Sequence, residues 1–152
     1  MKRTEAVFVA FVDEVEPRLR RALIARRGQE DGRDATAEAL AWAWEHWDEV
    51  AEMTNAAGYL YPVGQSRSRQ RLVGPLHRSE QASRPAPLPI DEELAAALSR
   101  LPEGQRTAVL LVHGCDWSYS ETAEAMGVSK SSVGTHLQRG LARLRTELEE
   151  RQ

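Results

Sequence analysis

Residues 118–145, SYSETAEAMGVSKSSVGTHLQRGLARLR, constrain the fold more than any other stretch of this chain. Ser118 and Glu121 have the S-x-x-E spacing of a capping box, in which two side chains satisfy the free N–H groups at a helix start. Tyr119, Ala123 and Met126 then recur on one helical face. Gly127 follows as a helix stop, because glycine enters the left-handed region without steric penalty. Val128 is placed to plug the corner, and Ser129 is a good N-cap for a second helix. Val133, Leu137, Leu141, Leu144 and Leu148 form the apolar stripe of that helix. Burying the stripe leaves Ser131, Ser132, Thr135, Gln138 and Arg139 facing outward, with His136 and Arg143 at the edges. Lys130, Arg139, Arg143 and Arg145 are its cations, and no acid occurs before Glu147. Two short helices meeting at a tight glycine turn, the second cationic and rich in hydrogen-bonding side chains, suit a DNA major groove. The competing reading is a helical hairpin with a solvated basic face.

The rest of the chain is also read as helix. Val7, Phe8, Phe11, Val12, Val15, Leu19, Leu23 and Ile24 recur at three- and four-residue steps over residues 1 to about 27. Pro17 predicts a kink or restart there. Residues 28–32 read as a turn. A second helix is expected from about 34 to 53, with Ala37, Leu40, Trp44, Trp47 and Val50 or Ala51 on its apolar side. Three tryptophans fall within six residues, at 42, 44 and 47. Trp44 and Trp47 are expected in the core and Trp42 at the surface, although tryptophan also marks partner interfaces. Asn55 caps a third helix, residues 56 to about 72, with Tyr59, Leu60 and Val63 apolar and a kink at Pro62. Its end, QSRSRQR at residues 65–71, carries three arginines and no acid. Beside Tyr59 and Tyr61 this could hold phosphates and stack bases, or be a solvated helix end whose arginines complement the dipole.

Residues 74–89 contain four prolines and read as a flexible linker. The expected organisation is an N-terminal helical domain at 1–73, the linker, and a helix-turn-helix domain at 90–152. The latter begins with an amphipathic helix at 90–101, with Leu94, Ala97, Leu98 and Leu101 inward. Pro102 opens the next helix, where Val109, Leu110 and Val112 are core candidates and Gly114 is the stop. Residues 147–152 are expected to fray. The fold class is all-α, two small helical domains joined by a flexible linker.

A net charge of −3 over 152 residues excludes a strongly basic coat protein, so local patches matter more than the total. The single cysteine, Cys115, excludes an internal disulfide. No leader or apolar run of membrane-spanning length is visible, which predicts a cytoplasmic protein that does not engage a membrane. His46, His77, His113 and His136 are scattered, without zinc-ligand spacing. With no phosphate-binding glycine loop and no nucleophile elbow, neither a catalytic site, a metal nor a cofactor is expected.

The order of these pieces has a counterpart. LPEGQRTAVLLVHGCDWSYSETAEAMGVSKSSVGTHLQRGLARLR resembles region 4 of the sigma-70 family of RNA polymerase sigma factors. The resemblance is strongest to the extracytoplasmic-function group, which keeps only regions 2 and 4. It rests on the L-P-x-x-Q-R opening at residues 101–106, the helix-turn-helix, and the A-R-L-R ending at 142–145. FVAFVDEVEPRLRRAL, DATAEALAWAWEHW and GYLYPVGQSRSRQR are similar to successive parts of region 2. Departures include Ala37 for a common glutamine, Gly134 for a common lysine or arginine, Leu141 for a common arginine, and Pro62 with residues 64–66 in place of the usual stretch. The resemblance implies that Asp34 and Glu38 bind core RNA polymerase. It implies that Tyr59, Tyr61, Gln65, Arg67, Arg69 and Arg71 meet the minus-10 element. It assigns the minus-35 element to the recognition helix, where Ser129, Lys130, Ser131, Ser132, Thr135, His136, Gln138, Arg139 and Arg143 are the candidate DNA contacts. Core polymerase and promoter DNA are the implied partners, and such factors are often held by an anti-sigma factor. The alternatives are a dimeric helix-turn-helix regulator that is not a sigma factor, and a protein–protein module docking through its tryptophan helix.

Overall fold

The computed structural model describes residues 2–71 and 91–150, and the side chains among them except those of residues 2 and 68–71. Among these residues there are eight helices and no strand. The chain divides into two compact units, Met1–Ala86 and Pro87–Gln152. The proposed linker at 74–89 lies outside the described residues.

In the first unit α1 (Lys2–Arg27) and α2 (Gln29–Glu45) form an antiparallel pair hinged on one residue. Gly28 has φ 94°, a conformation that costs other residues a clash between Cβ and carbonyl. Its N–H donates to the Ile24 carbonyl at 2.8 Å, and its own carbonyl accepts from Gly32 at 2.8 Å. The expected five-residue turn is therefore a single glycine, and α2 starts earlier than its apolar pattern suggested. Pro17 does not interrupt α1. It is exposed, as is Asp13 one turn earlier, so water can satisfy the carbonyl left without a partner. Val15, Leu19, Ala22 and Leu23 of α1 are buried, whereas Val7 is exposed.

The face of α2 differs from the expected one. Gly32, Ala35, Thr36, Ala39 and Ala43 are buried. Ala37 and Trp44 are exposed, and Leu40 is half-buried. The reason is volume. A Cβ on Gly32 would stand 2.4 Å from the Ile24 Cα, and one on Gly64, on a later helix, would stand 2.9 Å from the Ala35 carbonyl oxygen. At such separations only small side chains fit between helices, whatever their neighbours' hydrophobicity. Trp44 and Trp47 lie outside the seam in an aromatic cluster, with Trp44 4.8 Å and Trp47 5.1 Å from Phe8, edge to face. Trp44 remains 46% exposed, so it is not a core residue. Trp42, expected at the surface, is half-buried against His46 at 4.0 Å and Tyr59 at 5.7 Å.

The long second helix expected to reach residue 53 stops at Glu45, and α3 (Trp47–Val50) follows after His46. Asn55 Oδ1 accepts from the Gly58 N–H at 3.2 Å and starts α4 (Ala56–Arg71). This helix is unbroken at Pro62, which is exposed. Leu60, Tyr61, Ala57 and Ala56 supply its buried side, while Tyr59 and Val63 are half-buried.

The second unit begins with α5 (Glu92–Ser99), capped by Asp91, whose Oδ1 accepts from the Leu94 N–H at 2.7 Å. Pro102 precedes α6 (Glu103–Val109), which widens into a π turn at Leu110–Gly114. The backbone then reverses through Asp116 at φ 60°, not at Gly114, and Trp117 N–H donates to the Leu111 carbonyl at 2.9 Å. Aspartate is one of the few side chains that tolerate this region. α7 (Tyr119–Met126) and α8 (Lys130–Glu150) complete the unit. Ala97, Leu98, Leu101, Ala108, Val109, Leu137 and Leu144 form its core, with Leu94, Leu110, Val112, Leu141 and Leu148 packed at the margin. Leu111, absent from the expected core, is 1% exposed. The end of α8 does not fray before Glu150, and Arg100 Nη1 holds Glu147 Oε2 at 3.2 Å.

Candidate nucleic-acid interfaces

The helix-turn-helix is set by local hydrogen bonds. Ser118 N–H donates to Glu121 Oε1 at 2.9 Å, and Glu121 N–H donates to Ser118 Oγ at 3.0 Å. This is the full capping box. Ser118→Ala is expected to lower the stability of the second unit by about 1 kcal/mol, read by urea denaturation. Gly127 takes φ 69°. Its N–H donates to the Glu124 carbonyl at 3.3 Å and that of Val128 to the Ala123 carbonyl at 3.1 Å, the paired bonds of a Schellman stop. Val128 does not plug the corner. It is 36% exposed, and Thr122, Ala123 and Ala125 of α7 are the buried residues instead. Ser129 Oγ accepts from the Ser132 N–H at 3.1 Å and starts α8.

Val133, Leu137, Gly140 and Leu144 form the buried face of α8. A Cβ on Gly140 would stand 3.0 Å from Val109 Cγ2 and 3.3 Å from the Gln105 carbonyl oxygen, so this glycine sets the close approach of α6. Lys130, Ser131, Thr135, Gln138, Arg139 and Arg143 are exposed, and Ser132 is half-buried. Their functions differ. Thr135 Oγ1 donates its proton to the Ser131 carbonyl at 3.1 Å, leaving only acceptor capacity for a ligand. Gln138 retains donors and an acceptor on one amide, and Arg139 retains its planar donor fork. His136 is half-buried, its ring packed over Gly104 of α6, so it belongs to the helix interface rather than the open face. Lys130, Arg139, Arg143 and Arg145 supply positive charge suited to phosphates.

The N-terminal candidates separate more sharply. A cleft of about 350 Å³ is lined by Trp42, Tyr59, Pro62, Val63, Ser66 and Arg67. Tyr59 and Arg67 thus share one surface with Trp42, which sequence reading had not assigned to it. The signal was present: Trp42 falls on a different helical side from Trp44 and Trp47. Tyr61 is 4% exposed and part of the core, which removes it from the expected DNA surface. The alternation of Tyr59 and Tyr61 about Leu60 could not put both outward on a helix. Gln65 Oε1 accepts from Arg27 Nη1 at 3.0 Å and ties α4 to α1. Arg67 Nε meets Glu38 Oε2 at 3.4 Å, linking a minus-10 candidate to a polymerase candidate. Asp34 is exposed on the same helix as Glu38. The side chains of Arg69 and Arg71 lie outside the described residues.

The family model described as Sigma-70, region 4 matches residues 91–144. The RNA polymerase sigma-E factor of Streptomyces avermitilis is 33% identical over 136 residues, spanning 80% of this chain and 73% of the relative. The protein of the same name from Streptomyces antibioticus is 32% identical over 130 residues, 80% of this chain and 72% of its own. Among solved structures, the sigma factor RpoE in complex with the anti-sigma factor NepR from Bartonella quintana is similar. It has a TM-score of 0.67 and 21% identity, over 93% of this chain and 96% of that one. Among the described residues no helix is long and apolar enough to cross a membrane, and no three His, Cys, Asp or Glu side chains gather as metal ligands.

Proposed function

The chain belongs to the extracytoplasmic-function group of the sigma-70 family of RNA polymerase sigma factors, and from that membership we propose how its residues divide the work. As a sigma factor of this group it binds core RNA polymerase and directs promoter-specific initiation of transcription. α8 enters the major groove of the minus-35 element, with Gln138 and Arg139 at base edges and Lys130 and Arg143 at phosphates. The cleft beside Trp42, Tyr59 and Arg67 receives the minus-10 region, where aromatic faces can stack an unpaired base and the guanidinium can hold its phosphate. Asp34 and Glu38 dock on a basic surface of the polymerase. The bond-making chemistry is the polymerase's, this chain supplies selection, and its place of action is the cytoplasm. An anti-sigma factor is a further partner, by analogy with the complex of the structural neighbour.

The observation that carries this reading is the doubly capped helix-turn-helix, whose outward face keeps free hydrogen-bonding groups and cations. A helix-turn-helix regulator that is not a sigma factor is not favoured, because the similarity to sigma-E factors extends over 80% of this chain, well beyond the helix-turn-helix. Run-off transcription with core RNA polymerase on a genomic fragment library tests the function. Discrete transcripts that require this chain are expected, and their absence would overturn the reading. Replacing Asp34 and Glu38 together by alanine should weaken core-polymerase binding in a pull-down, and leave the binding of minus-35 duplexes by the polymerase-free chain intact. Unchanged polymerase affinity would remove these two residues from that interface.

A further inference from the structure

Gly134 has no structural reason to be glycine. It lies inside α8, away from the residues of positive φ. Among the described residues a Cβ there would meet only Tyr119 Cε2, at 3.6 Å, an ordinary contact. The contrast with Gly140 is direct, since a Cβ at 140 would press on Val109 and on the Gln105 backbone. Glycine in a helix interior is destabilising relative to alanine. Position 134 therefore carries a cost that packing within the chain does not offset, and an unfilled position on a DNA-reading helix suits something outside the chain.

The geometry says what approaches. Successive residues turn by about 100° around an α-helix, which puts Gly134 at the flank between the buried stripe and the outward face, toward α7. A helix about 10–12 Å across nearly fills a major groove about 12 Å wide, so residues at its flanks face the sugar-phosphate walls while the outermost residues face bases. The first helix of a helix-turn-helix is the one that crosses the DNA backbone. Tyr119, the first residue of α7, stands over Gly134, is 43% exposed, and its hydroxyl makes no hydrogen bond among the described residues.

We propose that Gly134 and Tyr119 form a seat for one phosphate of the promoter backbone. The missing side chain lets the DNA strand close on the helix, and the tyrosine hydroxyl donates to a phosphate oxygen. This rests on the reading of α8 as the minus-35 helix. A neutral seat of this kind fixes how deeply α8 sits in the groove and carries no base preference of its own.

The test uses the full chain assembled with core polymerase, on promoter duplexes recovered by the run-off assay and on single-base variants of their minus-35 elements. Gly134→Ala should raise or preserve the melting temperature of the chain. It should weaken binding to every duplex about fivefold, the scale of one lost neutral hydrogen bond, with base preference and salt slope unchanged. Tyr119→Phe should weaken binding about threefold, and the double variant little more than Gly134→Ala alone. Gly134→Ala binding as tightly as the parent would overturn the seat, and so would a loss confined to duplexes sharing one base pair, which would indicate a base contact. If the parent selects no promoter at all, the minus-35 assignment fails as well.

Discussion

Gly32→Ala is expected to destabilise the N-terminal unit by about 3 kcal/mol, at the upper end of ordinary overpacking. The added methyl would stand 2.4 Å from the Ile24 Cα and 2.6 Å from its nitrogen. Backbone cannot rotate aside as a side chain can, so α1 and α2 must separate. Separation loosens Ala35 and Ala39, both fully buried further along the same face. It also strains the single-residue hinge at Gly28. The gain in helix propensity, about 1 kcal/mol, offsets only part of this. Urea denaturation should show a lowered midpoint for the N-terminal unit and an unshifted one for the helix-turn-helix unit. Gly140→Ala is the internal comparison. Its Cβ would meet a movable Val109 methyl at 3.0 Å and the Gln105 carbonyl oxygen at 3.3 Å, so a smaller loss is expected. Equal effects at the two positions would show that the α1–α2 seam can open around an added methyl.

Arg139→Ala should weaken binding to the preferred minus-35 duplex by about 1–3 kcal/mol, the scale of a bidentate arginine–guanine contact. Arg139 is exposed on the face opposite Leu137 and Leu144. Arg145 is the comparison residue, exposed on the same helix six positions on, about 9 Å further along the axis. If Arg139 reads a base, its loss relaxes preference at one position, and Arg139→Lys does not restore it because an ammonium lacks the planar fork. If it holds a phosphate, all duplexes weaken alike, the salt slope falls by about one charge, and lysine largely restores binding. Arg139→Ala binding every duplex as tightly as the parent at two salt concentrations would show that the face opposite Leu137 does not read DNA.

The features decided by short-range chemistry were legible in the chain. Ser118 with Glu121, Gly127, Ser129 and Asn55 act on backbone groups within a few residues, and each does in the structure what its spacing suggested. The apolar stripe of α8 was readable for the same reason, because Val133, Leu137 and Leu144 repeat along one helix. The cationic outward face follows once that stripe is buried.

Packing decided the rest. Hydrophobicity ranks Trp44 above Ala43, yet Ala43 is buried and Trp44 is 46% exposed, because the distance between α1, α2 and α4 admits only small side chains. That distance is set by Gly32 and Gly64 meeting backbone on neighbouring helices, contacts that no single-helix pattern contains. The same packing placed Tyr61 inside and gave Gln65 to Arg27. It also brought Trp42 to the cleft with Tyr59 and Arg67. The sequence alone determined the capped starts of α4, α7 and α8 and the glycine stop of α7, and which helix carries the outward cationic groups. The tertiary structure determined which faces of the other helices are buried, because burial depends on the space between helices as much as on the character of the residues.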